Sequence, residues 1–375
     1  MADMCKAGYR KVISCAGLLA GLLIIAGNNG KVKFFLPLFS YEATDCAGSC
    51  LMEEDESTSA NIIYYLSGTT GEEGSRTEDD AEEHLTASGD AVGEAGYTAI
   101  SMEELRLENE AVGTFKPHEK QNTIDFQAYT DYETLLKTFY TIDSNALAGS
   151  DLFNIEDLLE WDFKLEKDDA APQILIYHTH SKEAFADSRP GEREDTIVGV
   201  GDELARILSE DYGYCVLHNT AEYDTVRDEA YGNSLPEITK LLEKNPSIQV
   251  VIDLHRDAGS KGRENTQNID GRNTARFMFF NGISRSRKTG DITYLANPNL
   301  KGNLAFSFQM QAACEEYYPG LTRKIYIKQY RFNMHLRERT LLIELGDENN
   351  TVEEAKNACY PIAHVLNMVL SGQAP

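Results

Sequence analysis

Residues 173–185 read QILIYHTHSKEAF. Ile174 to Tyr177 is a short, branched, apolar run of the kind buried on both faces of a sheet. It runs directly into His178-Thr179-His180. Two later stretches repeat the arrangement. QVVIDL (249–254) leads into His255-Arg256-Asp257, and TLLI (340–343) leads into Glu344, with Gly346 closing the strand. In open α/β sheets the carboxyl ends of the strands line the ligand crevice. Three strands are therefore expected to deliver His, His and Glu to one edge.

Working outward, the chain alternates these strands with helices. VGVGDELARILSE (198–210) is amphipathic, and Tyr214 to Leu217 is strand-like. Ser234 to Glu243 reads as a helix, Arg276 to Phe280 as a strand and Asn299 to Tyr317 as a long helix. Ile325 to Ile327 and Thr340 to Leu345 are further strands. Val352 to Leu370 closes the chain as a helix, opened by Thr351 with Glu353 and Glu354 in its first turn. Such alternation predicts an α/β domain, a mixed central sheet flanked by helices, over 171–375. Apolar positions at helical spacing in Tyr132 to Tyr140 and Asn154 to Trp161 predict a helical lead-in over 126–170.

Before that lies an acidic stretch, 41–125, with segments such as GEEGSRTEDDAEE. Its low hydrophobicity and high charge predict a disordered spacer, and Ile62 to Leu66 reads as a local apolar piece. Residues 1–40 read as a cytoplasmic tip and a membrane anchor. Lys6, Arg10 and Lys11 precede the apolar run Val12 to Gly27, which predicts an N-in orientation and an extracytoplasmic domain. The run is short of the roughly 20 residues of a spanning helix, so a cleaved signal peptide is the competing reading. Either way the protein is exported.

The 375 residues carry a formal net charge of −26. No Lys/Arg stripe is available to neutralise phosphates, which excludes nucleic acid as a partner. Seven dispersed cysteines form neither a disulfide framework nor a paired zinc motif. GxSxG and P-loop motifs are absent, and no cysteine has a nucleophile context.

What remains is the strand-end constellation. Imidazole and carboxylate are the ligands of a catalytic zinc site, which keeps one position open for water. Zinc lowers the pKa of that water and polarises a carbonyl, and a nearby carboxylate shuttles the proton. In extended chain His178 and His180 point to one side, so both are candidate ligands. Alternatively one binds zinc and the other orients it. Glu183, three residues past His180, is a further ligand candidate. Arg256 and Asp257, beside His255, are candidate substrate contacts. His218, His335 and His364 read as ordinary polar residues, and His84 and His118 lie in the spacer.

With HTHSKEAF, IDLHRDA and LLIELGDENNTVEEA in this order, the sequence resembles the stage II sporulation protein P family, from about Asp131 to the C-terminus. VGDELARIL, NPNLKGNLAF, YYPGLTRKIY and RFNMHLRERTLLIE extend the likeness. The resemblance implies an amidase-like fold and a zinc-dependent N-acetylmuramoyl-L-alanine amidase, with an endopeptidase activity on stem-peptide cross-links. It implies septal-wall degradation during engulfment, from the mother-cell membrane, with sporulation proteins D and M as partners. On this resemblance His180 and His255 match the zinc histidines and Glu344 the catalytic glutamate. His178 is left as ligand or orienter. The third ligand is Glu183, or else Glu192 or Glu194 from the region before the next helix. Rival readings are a zinc peptidase acting on stem peptides alone, and a non-catalytic wall-binding scaffold.

Overall fold

A computed structural model defines residues 114–168, 170–259 and 265–374, together with three short strands nearer the N-terminus. Two of those, β1 (Ile24–Ala26) and β2 (Val32–Phe34), pair antiparallel within the unit Met1–Ser59. The rest of the predicted anchor lies outside the described residues. Among the described residues no helix is long and apolar enough to cross a membrane.

The unit Ala60–Pro375 is built on an eight-stranded sheet. Its strands are β3 (Ile62–Tyr65), β4 (Tyr140–Ile142), β5 (Ile174–Tyr177), β6 (Val216–Asn219) and β7 (Val250–Asp257). Two strands outside the sheet, β8 (Thr266–Ile269) and β9 (Arg272–Ala275), form a hairpin. The sheet continues with β10 (Phe277–Gly282), after which β11 (Arg285–Ser286) and β12 (Gly290–Asp291) make a second small hairpin. It is completed by β13 (Ile325–Lys328) and β14 (Arg339–Asp347). The order is β3-β6-β5-β7-β14-β10-β13-β4. The four strands β6, β5, β7 and β14 run parallel; β10, β13 and β4 run parallel to one another but antiparallel to β14, and β3 runs against β6, which makes the sheet mixed.

Alternation along the strands explains how the two faces are covered. Ile174 and Ile176 of β5 join one core with Val250, Ile252, Phe277, Phe279, Ile325, Ile327, Leu341 and Ile343. Three helices lie over it: α3 (Ile197–Glu210), α5 (Leu300–Tyr317) and α6 (Val352–Leu370). The shorter α1 (Tyr132–Phe139) and α2 (Ile155–Leu159) pack at its margin through Leu135, Phe139 and Leu158. On the opposite face Leu175, Tyr177, Leu217 and Val251 meet one helix, α4 (Ala230–Lys244), through Ile238, Leu241 and Leu242. That helix covers β6, β5 and β7; the same face over β10 and β13 borders a cleft.

Two expectations about the N-terminal half change. Ile62–Tyr65, read as a local piece of the spacer, is an edge strand paired antiparallel with β6. The ordered part also begins before residue 126: the Phe115 ring packs 5.1 Å from Tyr360, and His118 Nε2 meets Asp270 at 2.8 Å. The lead-in is itself part of the sheet, since Tyr140–Ile142 pairs in parallel with β13. The closing helix keeps its predicted start. Thr351 Oγ1 accepts the Glu354 N–H at 3.1 Å, and Glu354 Oε2 accepts the Thr351 N–H at 3.0 Å.

Candidate functional site

Parallel strands place His180, His255 and Glu344 at one edge. In register, Glu344 lies opposite His255 across β14 and β7. Directly after Glu344 the pairing shifts before resuming at Asp347, and Gly346 sits there with φ +66°. A bulge of this kind, with glycine taking the left-handed conformation, re-aims a strand end beside a site.

The His180 and His255 rings stand 5.4 Å apart, centroid to centroid, edge to face. Buried Nδ1 of His180 has no hydrogen-bond partner among the described residues. His255 is 2% exposed and lies between two carboxylates. Its Nε2 is 2.8 Å from Asp253 Oδ1, out of hydrogen-bonding line, and its Nδ1 is 3.7 Å from Glu183 Oε2. Burial alone would lower His255, but Asp253 and Glu183 raise it well above the usual imidazole value. His180 is lowered, first by burial and then by the neighbouring His255.

Glu183 is 3% exposed and well held. Oε2 accepts the Arg256 N–H at 2.8 Å and Oε1 accepts from Arg227 Nη2 at 2.9 Å. Burial pushes its carboxyl up, yet the contacts with His255, Arg256 and Arg227 win and hold it at about 2. Glu344 has the opposite balance. Burial dominates, Glu183 and Asp257 add to it against His255 and Arg323, and its carboxyl is pushed up to about 7. A carboxyl poised near neutrality next to a pair of histidines is a signature of acid–base work.

The predicted residues are not all brought together. His178 does not share the His180 side, because the extended chain ends at Tyr177 and turns. Its ring is fully buried. Nδ1 faces the Leu254 carbonyl oxygen at 2.8 Å and Nε2 faces His218 Nε2 at 2.8 Å. Burial, and after it the neighbouring His218, hold it at about 3, so neutral His178 donates Nδ1–H to the Leu254 carbonyl and accepts at Nε2. Both nitrogens are therefore used, which removes His178 as a metal ligand. His218, read as ordinary, turns Nδ1 to Asp202 Oδ1 at 3.0 Å. Gly201 permits the pair: a Cβ there would stand 2.7 Å from both rings.

Glu192 and Glu194 are exposed, and Glu194 pairs with Arg189 at 2.8 Å, which leaves Glu183 as the carboxylate beside His255. Asp257 accepts from Arg323 Nη1 at 2.7 Å and lines the cleft with Glu344. Arg256 instead bonds the Asp257 carbonyl oxygen and Glu348, at 2.8 and 3.1 Å.

Two site residues escaped the sequence reading. Asp253 is 1% exposed and accepts the Thr179 N–H at 2.9 Å and its hydroxyl at 2.7 Å. A lone acid in the apolar strand VVIDL, two residues before His255 and so on its face, was the available signal. Tyr231, on α4, stacks on His255 at 6.3 Å and meets His180 edge-on at 5.8 Å. Nothing in its local sequence points there.

The family model for stage II sporulation protein P (SpoIIP) matches residues 61–367. The chain belongs to that family. A stage II sporulation protein P of Bacillus subtilis (strain 168) is 26% identical over 214 residues, which are 52% of this chain and 50% of that protein. The chain thus spans about half the length of the curated SpoIIP relative it matches. Among solved structures, the CwlD amidase of Clostridioides difficile in complex with the GerS lipoprotein aligns at 12% identity and a TM-score of 0.37, over 53% of this chain and 99% of that one. An N-acetylmuramyl-L-alanine amidase of Mycobacterium smegmatis aligns at 12% and 0.35, over 54% and 99%. An N-acetylmuramoyl-L-alanine amidase of Clostridium difficile 630 aligns at 15% and 0.32, over 52% and 95%.

Among the described residues no three His, Cys, Asp or Glu side chains form a ready-made metal cage. The donor set nevertheless suits zinc: two imidazoles and an ionised carboxylate, with His180 Nδ1 buried and unpartnered.

Proposed function

We propose that this chain is a peptidoglycan hydrolase that cleaves the amide between the muramic acid lactyl group and the first L-alanine of the stem peptide. The observation that carries the reading is the meeting of His180, His255, Glu183 and Glu344 at one sheet edge, with Glu344 held near neutrality.

In this reading His180, Glu183 and His255 would hold zinc, which would supply Lewis-acid polarisation of a carbonyl and a lowered water pKa. Asp253, held by the Thr179 N–H and hydroxyl, sets a carboxylate against the His255 ring. Glu344 takes a proton from water as its oxygen bonds to the carbonyl carbon. The same carboxyl then gives that proton to the amide nitrogen as the carbon–nitrogen bond breaks. Products are the free lactyl carboxylate and a stem peptide with a free amine. His178 acts through packing, by tying the β5 and β7 ends together through the Leu254 carbonyl.

The wider setting is part of the same proposal, supported by membership of the family. It comprises septal-wall degradation in engulfment, sporulation proteins D and M as companions, and an N-terminal anchor holding the domain outside the mother-cell membrane. The apolar run Val12 to Gly27 with its basic flank supports the anchor. The test is zinc-loaded full chain on dye-labelled sacculi. Dye release by the wild type and none by His255→Ala supports a zinc hydrolase; no release by either favours a binding scaffold.

A further inference from the structure

Glu183 stands on a turn rather than on a strand. β5 ends at Tyr177, and no sheet ladder fixes residues 178–183. Side-chain bonds to the segment 221–229, which links β6 to α4, fix the turn instead. Ser181 Oγ donates to Asp224 Oδ1 at 2.9 Å, and the Lys182 N–H donates to Asp224 Oδ2 at 3.2 Å. Lys182 Nζ pairs with Glu222 at 3.1 Å, and Arg227 Nη2 donates to Glu183 Oε1 at 2.9 Å. Ser181, Lys182 and Glu183 thus each meet a partner on one segment.

That segment is itself anchored. Tyr223 is buried in the core under α4, its hydroxyl accepts from Asn219 Nδ2 at 3.1 Å, and its carbonyl oxygen accepts from Asn233 Nδ2 at 3.0 Å. The Ala221 N–H donates to Asn219 Oδ1 at 2.8 Å. Asp224 and Arg227 therefore lean on a frame that joins β6 to α4. The two oxygens of Glu183 are divided between different tasks. Oε1 goes to Arg227. Oε2 accepts the Arg256 N–H at 2.8 Å and faces His255 Nδ1 across 3.7 Å. Such a gap is wider than a hydrogen bond, and an ion bonded to each side at about 2.0–2.2 Å bridges it. The Arg227 side chain is 66% exposed and Glu183 is 3% exposed, so the guanidinium orients a buried carboxylate from the surface.

We propose that Arg227 is a positioning residue for the metal. With Asp224 it clasps the 181–183 turn so that Glu183 presents Oε2, and only Oε2, beside His255. The inference rests on the reading of Glu183 and His255 as zinc ligands. It adds to that reading the residues that set how tightly the ligands hold the ion, and it places them on the segment between β6 and α4, outside the strands that carry the histidines.

The test is the zinc affinity of the full chain against a competing chelator, read beside the rise in urea midpoint that zinc produces. Arg227→Ala should weaken zinc binding at least about tenfold, as loss of a ligand's outer partner does. Arg227→Lys, which restores a cation and a donor, should return it to within about threefold of wild type. Lys182→Ala removes a cation from the same turn without touching the Glu183 side chain, and should also stay within about threefold. The zinc-induced rise in urea midpoint should shrink in Arg227→Ala. Loss of fold stability alone would instead lower the metal-free and zinc-bound midpoints together. The visible absorption of the cobalt-substituted protein should shift in Arg227→Ala and stay unchanged in Lys182→Ala. If Arg227→Ala does not fold, Arg227→Met, which keeps the apolar stem, is held to the same criteria. Wild-type affinity in the Arg227 variant, or an equal loss in Lys182→Ala, overturns the clasp. A wild type that binds no zinc refutes the metal reading itself, whereas zinc bound alike by wild type and Arg227→Ala refutes only the clasp.

Discussion

Glu183 Oε2 lies 3.7 Å from His255 Nδ1 while accepting the Arg256 backbone N–H at 2.8 Å, so one carboxylate both faces the histidine and is anchored to the strand that carries it. This ties the HTHSKE turn to the end of β7. It also gives the site a distinct response to acid. A carboxyl held at about 2 contributes stability that is fully present above its ordinary 4.5 and is lost as pH falls through about 2. Glu183→Gln should remove that acid limb, seen by urea unfolding between pH 2 and 5. It should cost on the order of 3 kcal/mol at neutral pH, as expected for breaking a buried pair. Zinc affinity, measured against a competing chelator, should fall at least about tenfold.

Glu344 predicts the pH dependence of turnover. As a general base it must be ionised, and burial pushes its carboxyl up to about 7. The rate should rise with pH through about 7 and level off above it. Glu344→Gln should lower kcat about 10²- to 10⁴-fold without unfolding the protein. Stability runs the other way. Between the ordinary 4.5 and about 7 the folded chain binds more protons than the unfolded one, so this group's contribution falls as pH rises. Glu344→Gln should flatten that slope in urea titrations.

Gly201 tests the buried histidine pair. Alanine in a helix interior ordinarily gains about 1 kcal/mol over glycine. Here its methyl would stand 2.7 Å from both His178 and His218. Overpacking of about 1–3 kcal/mol should outweigh the helix gain. Gly201→Ala should therefore unfold at lower urea.

The closing helix offers a purely local prediction. Thr351→Ala removes one half of the reciprocal cap with Glu354. It should cost about 1 kcal/mol, read as a shift in the urea midpoint with hydrolysis unchanged.

Much of this was legible in the chain. Apolar runs ending in His180, His255 and Glu344 are visible because buried parallel strands are apolar throughout and their carboxyl ends carry the chemistry. The Thr351 cap is equally local. Edge strands are harder. Ile62–Tyr65 and Tyr140–Ile142 join the sheet through backbone pairing with distant partners, which leaves little trace in four or three residues. His178 was misplaced because side-chain direction follows an extended chain only while the chain stays extended. The cleft over β10 and β13 is set by how far α4 reaches across the second face, a matter of packing that periodicity does not encode.

The most direct measurement is mass spectrometry of muropeptides released from sacculi by the zinc-loaded full chain. The account predicts intact stem peptides with a free N-terminal L-alanine amine beside glycan stripped to the lactyl carboxylate, and neither product from His255→Ala. Release of cleaved cross-links alone, with every lactyl–alanine bond intact, would contradict it.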